Sequence, residues 1–194
     1  MMDSTEVLLA LFLFAVFGGV MAFAVLQSRA RSARLTRQAE KRGGEIRKGS
    51  LWRQPELRIP FKDAFIAIRV IPGSRYSPPK TVAQIKLDSP RLPALRLTRN
   101  FLLQKMLAAF GRERLLTGDE EFDRLWTLTT EDGFAAQKLA TPDFKAQLEQ
   151  RLFRSLVMDI RPQEFSFAIG VIPSNDEALD VFIDTVVMVL NKFL

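Results

Sequence analysis

The sequence predicts an α+β protein: one N-terminal transmembrane helix, then a mainly antiparallel sheet domain with short helices and a C-terminal amphipathic helix packed on the sheet. Three observations predict it. An uncharged apolar run fills Val7–Leu26. Short strand-like segments separated by turn signals dominate residues 44–99. Helical periodicity follows, with no regular strand–helix alternation of the kind that builds a parallel sheet.

The first element is the apolar run, VLLALFLFAVFGGVMAFAVL. Roughly 20 residues at ~1.5 Å each cover the ~30 Å hydrocarbon core of a bilayer. A single segment in lipid must satisfy its own backbone, so it is a helix. A buried core helix is the blander reading, but such helices are rarely apolar on every side. A cleaved signal peptide would begin basic and carry a shorter run; this start holds Asp3 and Glu6, and arginines follow the run at once. Within the span, Ala15, Gly18, Gly19 and Ala22 share one helical face. Small residues let helix backbones approach closely, so this face is a candidate for membrane-helix packing; the bland alternative is that Gly and Ala are common in such helices.

The next element is basic. Residues 27–53 hold nine Lys and Arg against Glu40 and Glu45, a net of +7. The chain as a whole carries +6 and residues 1–26 carry −2, so residues 54–194 carry only +1. A domain that is nearly neutral lacks the basic face that nucleic acid requires, and nucleic acid is not an expected partner. The Lys/Arg imbalance across the span places residues 1–6 outside and the domain in the cytoplasm. Arg29, Arg31, Arg34, Arg37, Lys41 and Arg42 are the candidate contacts to anionic lipid headgroups. The alternative is a topology signal with no further role. Ala, Arg, Leu, Gln and Glu favour a helix continuing through residues 28–41, ended by Gly43-Gly44. The expected organisation is therefore an anchor at 1–27, a basic juxtamembrane segment at 28–43 and a cytoplasmic domain at 44–194.

Within the domain, Phe65–Ile71 reads as a short strand. Ala83, Ile85 and Leu87 alternate with polar residues, as do Leu156, Met158 and Ile160, and then Phe165, Phe167, Ile169 and Val171. Ile71-Pro72-Gly73-Ser74, Ser77-Pro78-Pro79 and the Ser89–Pro93 stretch are turn signals. Residues 44–99 thus accommodate about five strands. Phe101–Phe110 reads as a helix stopped by Gly111. A second helix opens at Thr141-Pro142 with Thr141 as cap, and buries Phe144, Leu148 and Leu152. The last opens at Ser174 or Asn175, with Leu179, Phe182, Ile183, Val186, Val187, Leu190 and Phe193 as its apolar stripe.

Catalytic inventory is thin. The chain has no His and no Cys, which removes the commonest general base, the thiol nucleophile and nearly all zinc sites. The Gly118–Asp123 cluster has the oxygen density of a divalent-cation site but lacks the ligand spacing of a calcium loop. A solvated turn anchored by Phe122 is the plainer reading. Gly73-Ser74-Arg75 with Lys80 is a candidate turn for a phosphate or a lipid headgroup, but a weak motif, because the phosphate-loop pattern is missing. Trp52 and Trp126 are core or interface residues before they are site aromatics; Trp52, beside the basic segment, is placed for the membrane interface.

Residues 117–149 carry a resemblance. Phe122-Asp123, a following strand, a Thr-rich acidic turn, a short Ala-containing helix and Leu139-x-Thr141-Pro142 before another helix are similar to a segment of uncharacterised bacterial membrane-anchored proteins of unknown function. The resemblance implies a bacterial inner-membrane setting and no activity. The expected protein is a non-catalytic binding or scaffold module on a single-pass anchor, possibly a small subunit of a membrane complex. It takes no cofactor, and its partner is another membrane or cytoplasmic protein or a second copy of itself. The alternatives are a module that senses lipid headgroups and an enzyme working through carboxylates.

Overall fold

The computed structural model describes residues 4–47, 49, 54–99 and 115–194. The expected helix over 101–110, its stop at Gly111, and Lys48, Trp52 and Arg53 lie outside the described residues.

The first helix, α1 (Ser4–Arg42), runs unbroken from the apolar segment into the domain. It is the one helix among the described residues long and apolar enough to cross a membrane. Every described side chain from Phe12 to Ala30 is exposed, and packing starts at Arg34 and Leu35. The helix ends as the sequence predicts. Gly43 adopts a left-handed φ of 62°, and the Gly44 amide returns to the Ala39 carbonyl at 2.8 Å, a Schellman closure that satisfies an end carbonyl.

Five strands follow: β1 (Glu45–Arg47), β2 (Glu56–Phe61), β3 (Ala64–Ile71), β4 (Lys80–Lys86) and β5 (Leu95–Arg99). After them come α2 (Glu120–Leu125), β6 (Trp126–Thr130), α3 (Gly133–Leu139) and α4 (Pro142–Glu149). The chain closes with β7 (Val157–Arg161), β8 (Glu164–Ile169) and α5 (Asp176–Phe193). One eight-stranded sheet has the order β1-β2-β3-β4-β8-β7-β5-β6, antiparallel at every pairing. This is the α+β class expected.

Period-two patterning sends one set of side chains into the core: Ile68 opposite Ala83, Ala83 opposite Phe167, and Phe167 opposite Met158, each fully buried. Phe167 is central, with the rings of Phe153, Phe165 and Phe182 at 6.0, 6.1 and 5.7 Å. Phe182 belongs to α5, which buries Leu179, Ile183, Val186, Val189 and Leu190 beside it. Each such side chain contributes roughly 1.5–3 kcal/mol when removed from water. Two stripe positions differ from expectation: Val187 and Phe193 lie on the flank half-buried, and Val189 takes a core place.

Other differences are local. Val171 falls beyond the end of β8 and stays exposed. Thr141 is the N-cap of α4 by position, but its side chain makes no cap bond. Its hydroxyl accepts instead from Lys192 Nζ at 2.8 Å, tying α4 to the end of α5. The acidic stretch is not a bare turn: residues 120–125 form α2, capped by Asp119, with Phe122 buried as expected.

Candidate functional site

Two surfaces are built on this frame. The first is the contact between the basic half of α1 and the last helix. Leu35, Gln38 and Ala39 are buried against the domain, while the basic residues around them reach α5 and the turn that leads into it. Arg34 donates to the Pro173 carbonyl at 2.7 Å. Arg37 grips Asp176 with two bonds, at 2.8 and 3.1 Å. Lys41 and Arg42 each meet Asp180 at 2.8 Å, and Arg42 also meets Asp184 at 2.8 Å. Asp176, Asp180 and Asp184 recur every fourth residue, so all three lie on one face of α5.

Burial pulls the Asp180 carboxyl upward, but hydrogen bonds from Lys41, Arg42 and Gln38 outweigh it and hold the group below the usual carboxylate range. Arg42 behaves in mirror image: burial works against its charge, and bonds to Asp184 and Asp180 overcome that and raise it. Its side chain is only 16% exposed, so this pair is screened less than a surface ion pair.

Thus three of the six candidate headgroup residues, Arg37, Lys41 and Arg42, are brought to the protein's own final helix, and a fourth, Arg34, to the Pro173 carbonyl just before it. Arg29 and Arg31 are left on the projecting neck, where Arg31 bonds Gln27 one turn back at 2.8 Å. The candidate packing residues Ala15, Gly18, Gly19 and Ala22 are all exposed, and nothing approaches the two glycines.

The second surface is the sheet face opposite the core. One register row across it reads Arg58, Ala67, Gln84, Ser166, Asp159 and Arg96, none of them buried. Over β2–β4 this face is hollowed into a cleft of about 850 Å³. Its floor carries a charge network: Glu56 bonds Arg58 at 2.7 Å and Arg69 at 2.8 Å, and Arg69 reaches Gln84 at 3.2 Å. At one rim Arg91 meets Asp63 at 2.6 Å and holds that carboxyl below its ordinary range. Phe65 and Ile71 stand among these charges, 54% and 37% exposed. Paired charge mixed with exposed apolar groups sets this cleft apart from a small-molecule pocket, which is mostly apolar and enclosed. The sequence holds one sign of this face, Phe65, Ala67, Arg69 and Ile71, the outward half of β3.

Asp119, Asp123, Ser74 and Trp126 take structural roles. Asp119 accepts from the amides of Glu121 and Phe122 and pairs with Lys145 at 2.6 Å, which lowers its pKa. Asp123 accepts from the Thr117 amide and hydroxyl. Among the described residues no group of three possible ligands is arranged for a metal. Ser74 of the weak anion motif accepts from the Tyr76 amide within a hairpin tip. Trp126 is buried in the core.

No family model and no curated protein matches the chain. Among solved structures, the fold is similar to the crystal structure of the mycobacterial trehalose monomycolate transport factor A, TtfA. The TM-score is 0.52 at 13% sequence identity, and the match covers 86% of this chain and 95% of that one. At that identity the likeness establishes the fold alone.

Proposed function

We propose that this chain is a non-catalytic, single-pass membrane protein, N-terminus outside and domain in the cytoplasm, that presents its open sheet face to another protein as a small subunit of a membrane complex. The carrying observation is the continuity of α1. One helix provides the apolar span and then nine residues, 34–42, of the domain's own packing. A helix joined in this way holds the domain at a set angle to its anchor instead of tethering it loosely. The small-residue face of the span and the cleft over β2–β4 are both left available for a partner.

The test is site-specific photocrosslinking from Gln84, on the open face, in the full chain in its native membrane. A single defined protein adduct, lost when Arg58 and Arg69 are both changed to Glu, is the expected result. A monodisperse monomer without adducts would refute the reading. Headgroup sensing is the second reading, favoured by Arg29 and Arg31 remaining on the neck within reach of the leaflet.

A further inference from the structure

We propose that the β3–β4 hairpin is a second membrane contact, with Arg75 and Tyr76 at its tip seated in the headgroup layer of the bilayer that α1 spans. The inference rests on reading α1 as a span, and it goes beyond that reading by fixing which end of the domain meets the lipid.

Direction comes from the ion pairs. Arg34 meets residue 173, Arg37 meets 176, Lys41 meets 180 and Arg42 meets 184. Both numbers rise together, so α1 and α5 run parallel. The chain moves away from the span along α1, so the start of α5 is its membrane end. β8 feeds α5 through residues 170–175, which puts Ile169 at that same end. β4 pairs Thr81 with Ile169, and the Thr81 hydroxyl donates to the Val171 carbonyl at 2.9 Å. β3 and β4 close with Ile71 opposite Lys80. The loop between them therefore leaves the sheet toward the bilayer. Arg151 and Arg154 lie at this end as well, since Ser155 accepts from the Gly170 amide at 2.8 Å.

Distance agrees. From Gln27 to Arg34, seven helical steps advance about 10 Å. The headgroup layer occupies roughly 5–8 Å of that on each side. From Ile71 to Arg75, four steps of chain at up to ~3.3 Å each reach at most about 13 Å. The tip spans the gap that the neck leaves.

The tip also has a defined shape and a fitting chemistry. Ser74 and Ser77 exchange backbone hydrogen bonds at 2.8 and 3.4 Å, leaving Arg75 and Tyr76 as the two turn residues. Gly73 packs so closely that an added Cβ would lie 2.9 Å from Pro79. Tyr76 is 89% exposed, and the Arg75 guanidinium sits 6.0 Å from its ring centre. A tyrosine beside cations is the residue pairing that membrane interfaces favour. Lys80, Ile71 and Val171 extend the patch. Glu177 is the opposing charge on α5, while Asp176 is taken by Arg37.

The chain has no Cys, so single labels are clean. Full-length Ser28→Cys, Ser77→Cys and Gln163→Cys proteins, each carrying a fluorophore, are placed in nanodiscs of mixed zwitterionic and anionic phospholipid with a headgroup-nitroxide lipid. Gln163 lies in the β7–β8 turn at the far end of the sheet. The expected result is loss of most fluorescence at 28 and 77, and none at 163. Adding Arg75→Glu with Tyr76→Ser relieves quenching at 77 and leaves 28 unchanged. Quenching at 28 with 77 behaving like 163 overturns the hairpin contact and leaves the span standing. Absence of quenching at both 28 and 77 overturns the span and the contact together. Equal quenching at all three positions, or no relief in the double variant, also overturns the contact.

Discussion

Asp180 is the residue on which the join between anchor and domain turns. It accepts from Lys41 and Arg42, and its removal would leave Arg42, largely buried, with Asp184 as its remaining carboxylate. Asp180→Asn keeps the shape and removes the charge. We expect a loss of about 1–2 kcal/mol in urea or thermal unfolding, since charge-assisted bonds exceed neutral ones but part of this pair is solvent-screened. A substitution at the sheet centre is harsher. Phe167→Ala removes a side chain enclosed by three other phenylalanines, and about 3–5 kcal/mol is the expected cost of the cavity. Both variants lower stability: the first acts through the join of α1 to α5, the second through the sheet centre, and the second loss should be the larger.

At the scale of elements, the pairing of α1 with α5 has a pH dependence whose sign follows from Asp180. Its carboxyl is held below the ordinary range, so the stabilisation it gives is complete above the unfolded carboxylate value of about 4. It is lost as pH falls through the lowered folded value. The chain has no His, so no side chain with an unperturbed pKa in the range of about 5–8 is present to disturb the join there. Hydrogen exchange of amides 34–42 should show protection, after correction for intrinsic rates, that is constant across that range and falls only in acid. A loss of protection near neutrality would contradict this assignment.

The elements were also the most legible part of the sequence. Alternation at Ala83–Leu87 and Phe165–Ile169 marks strands because one face of each is buried. Gly43-Gly44 marks a helix end because the left-handed closure needs glycine. What could not be read was which strands pair. β8 lies between β4 and β7, and β5 crosses to the far side of β7, choices set by contacts far apart in the chain. The helix join was hidden for the same reason, because Arg37 and Asp176 are 139 positions apart. Arg34, Arg37, Lys41 and Arg42 carry the spacing of a lipid-facing neck and of a helix-pairing face alike. Asp176, Asp180 and Asp184 hold the complementary clue, visible only once the two helices are known to run side by side. The open face was hidden because Phe65–Ile71 reads as a single apolar run, whereas the strand divides it between core and solvent.

For the whole molecule, the strands and α5 share an end with the point where α1 leaves the domain. A span followed by a rigid join would stand the sheet upright beside the bilayer, its open face turned sideways, where the proposed partner would meet it. Anchor and domain would then move as one body. This is tested by pulsed electron paramagnetic resonance on the full chain in nanodiscs, with spin labels at Ser28→Cys on the neck and Gln163→Cys at the far end of the sheet. We predict one narrow distance distribution that broadens when Asp180→Arg reverses the central charge of the join. A broad distribution in the otherwise unaltered chain, unchanged by Asp180→Arg, would contradict it.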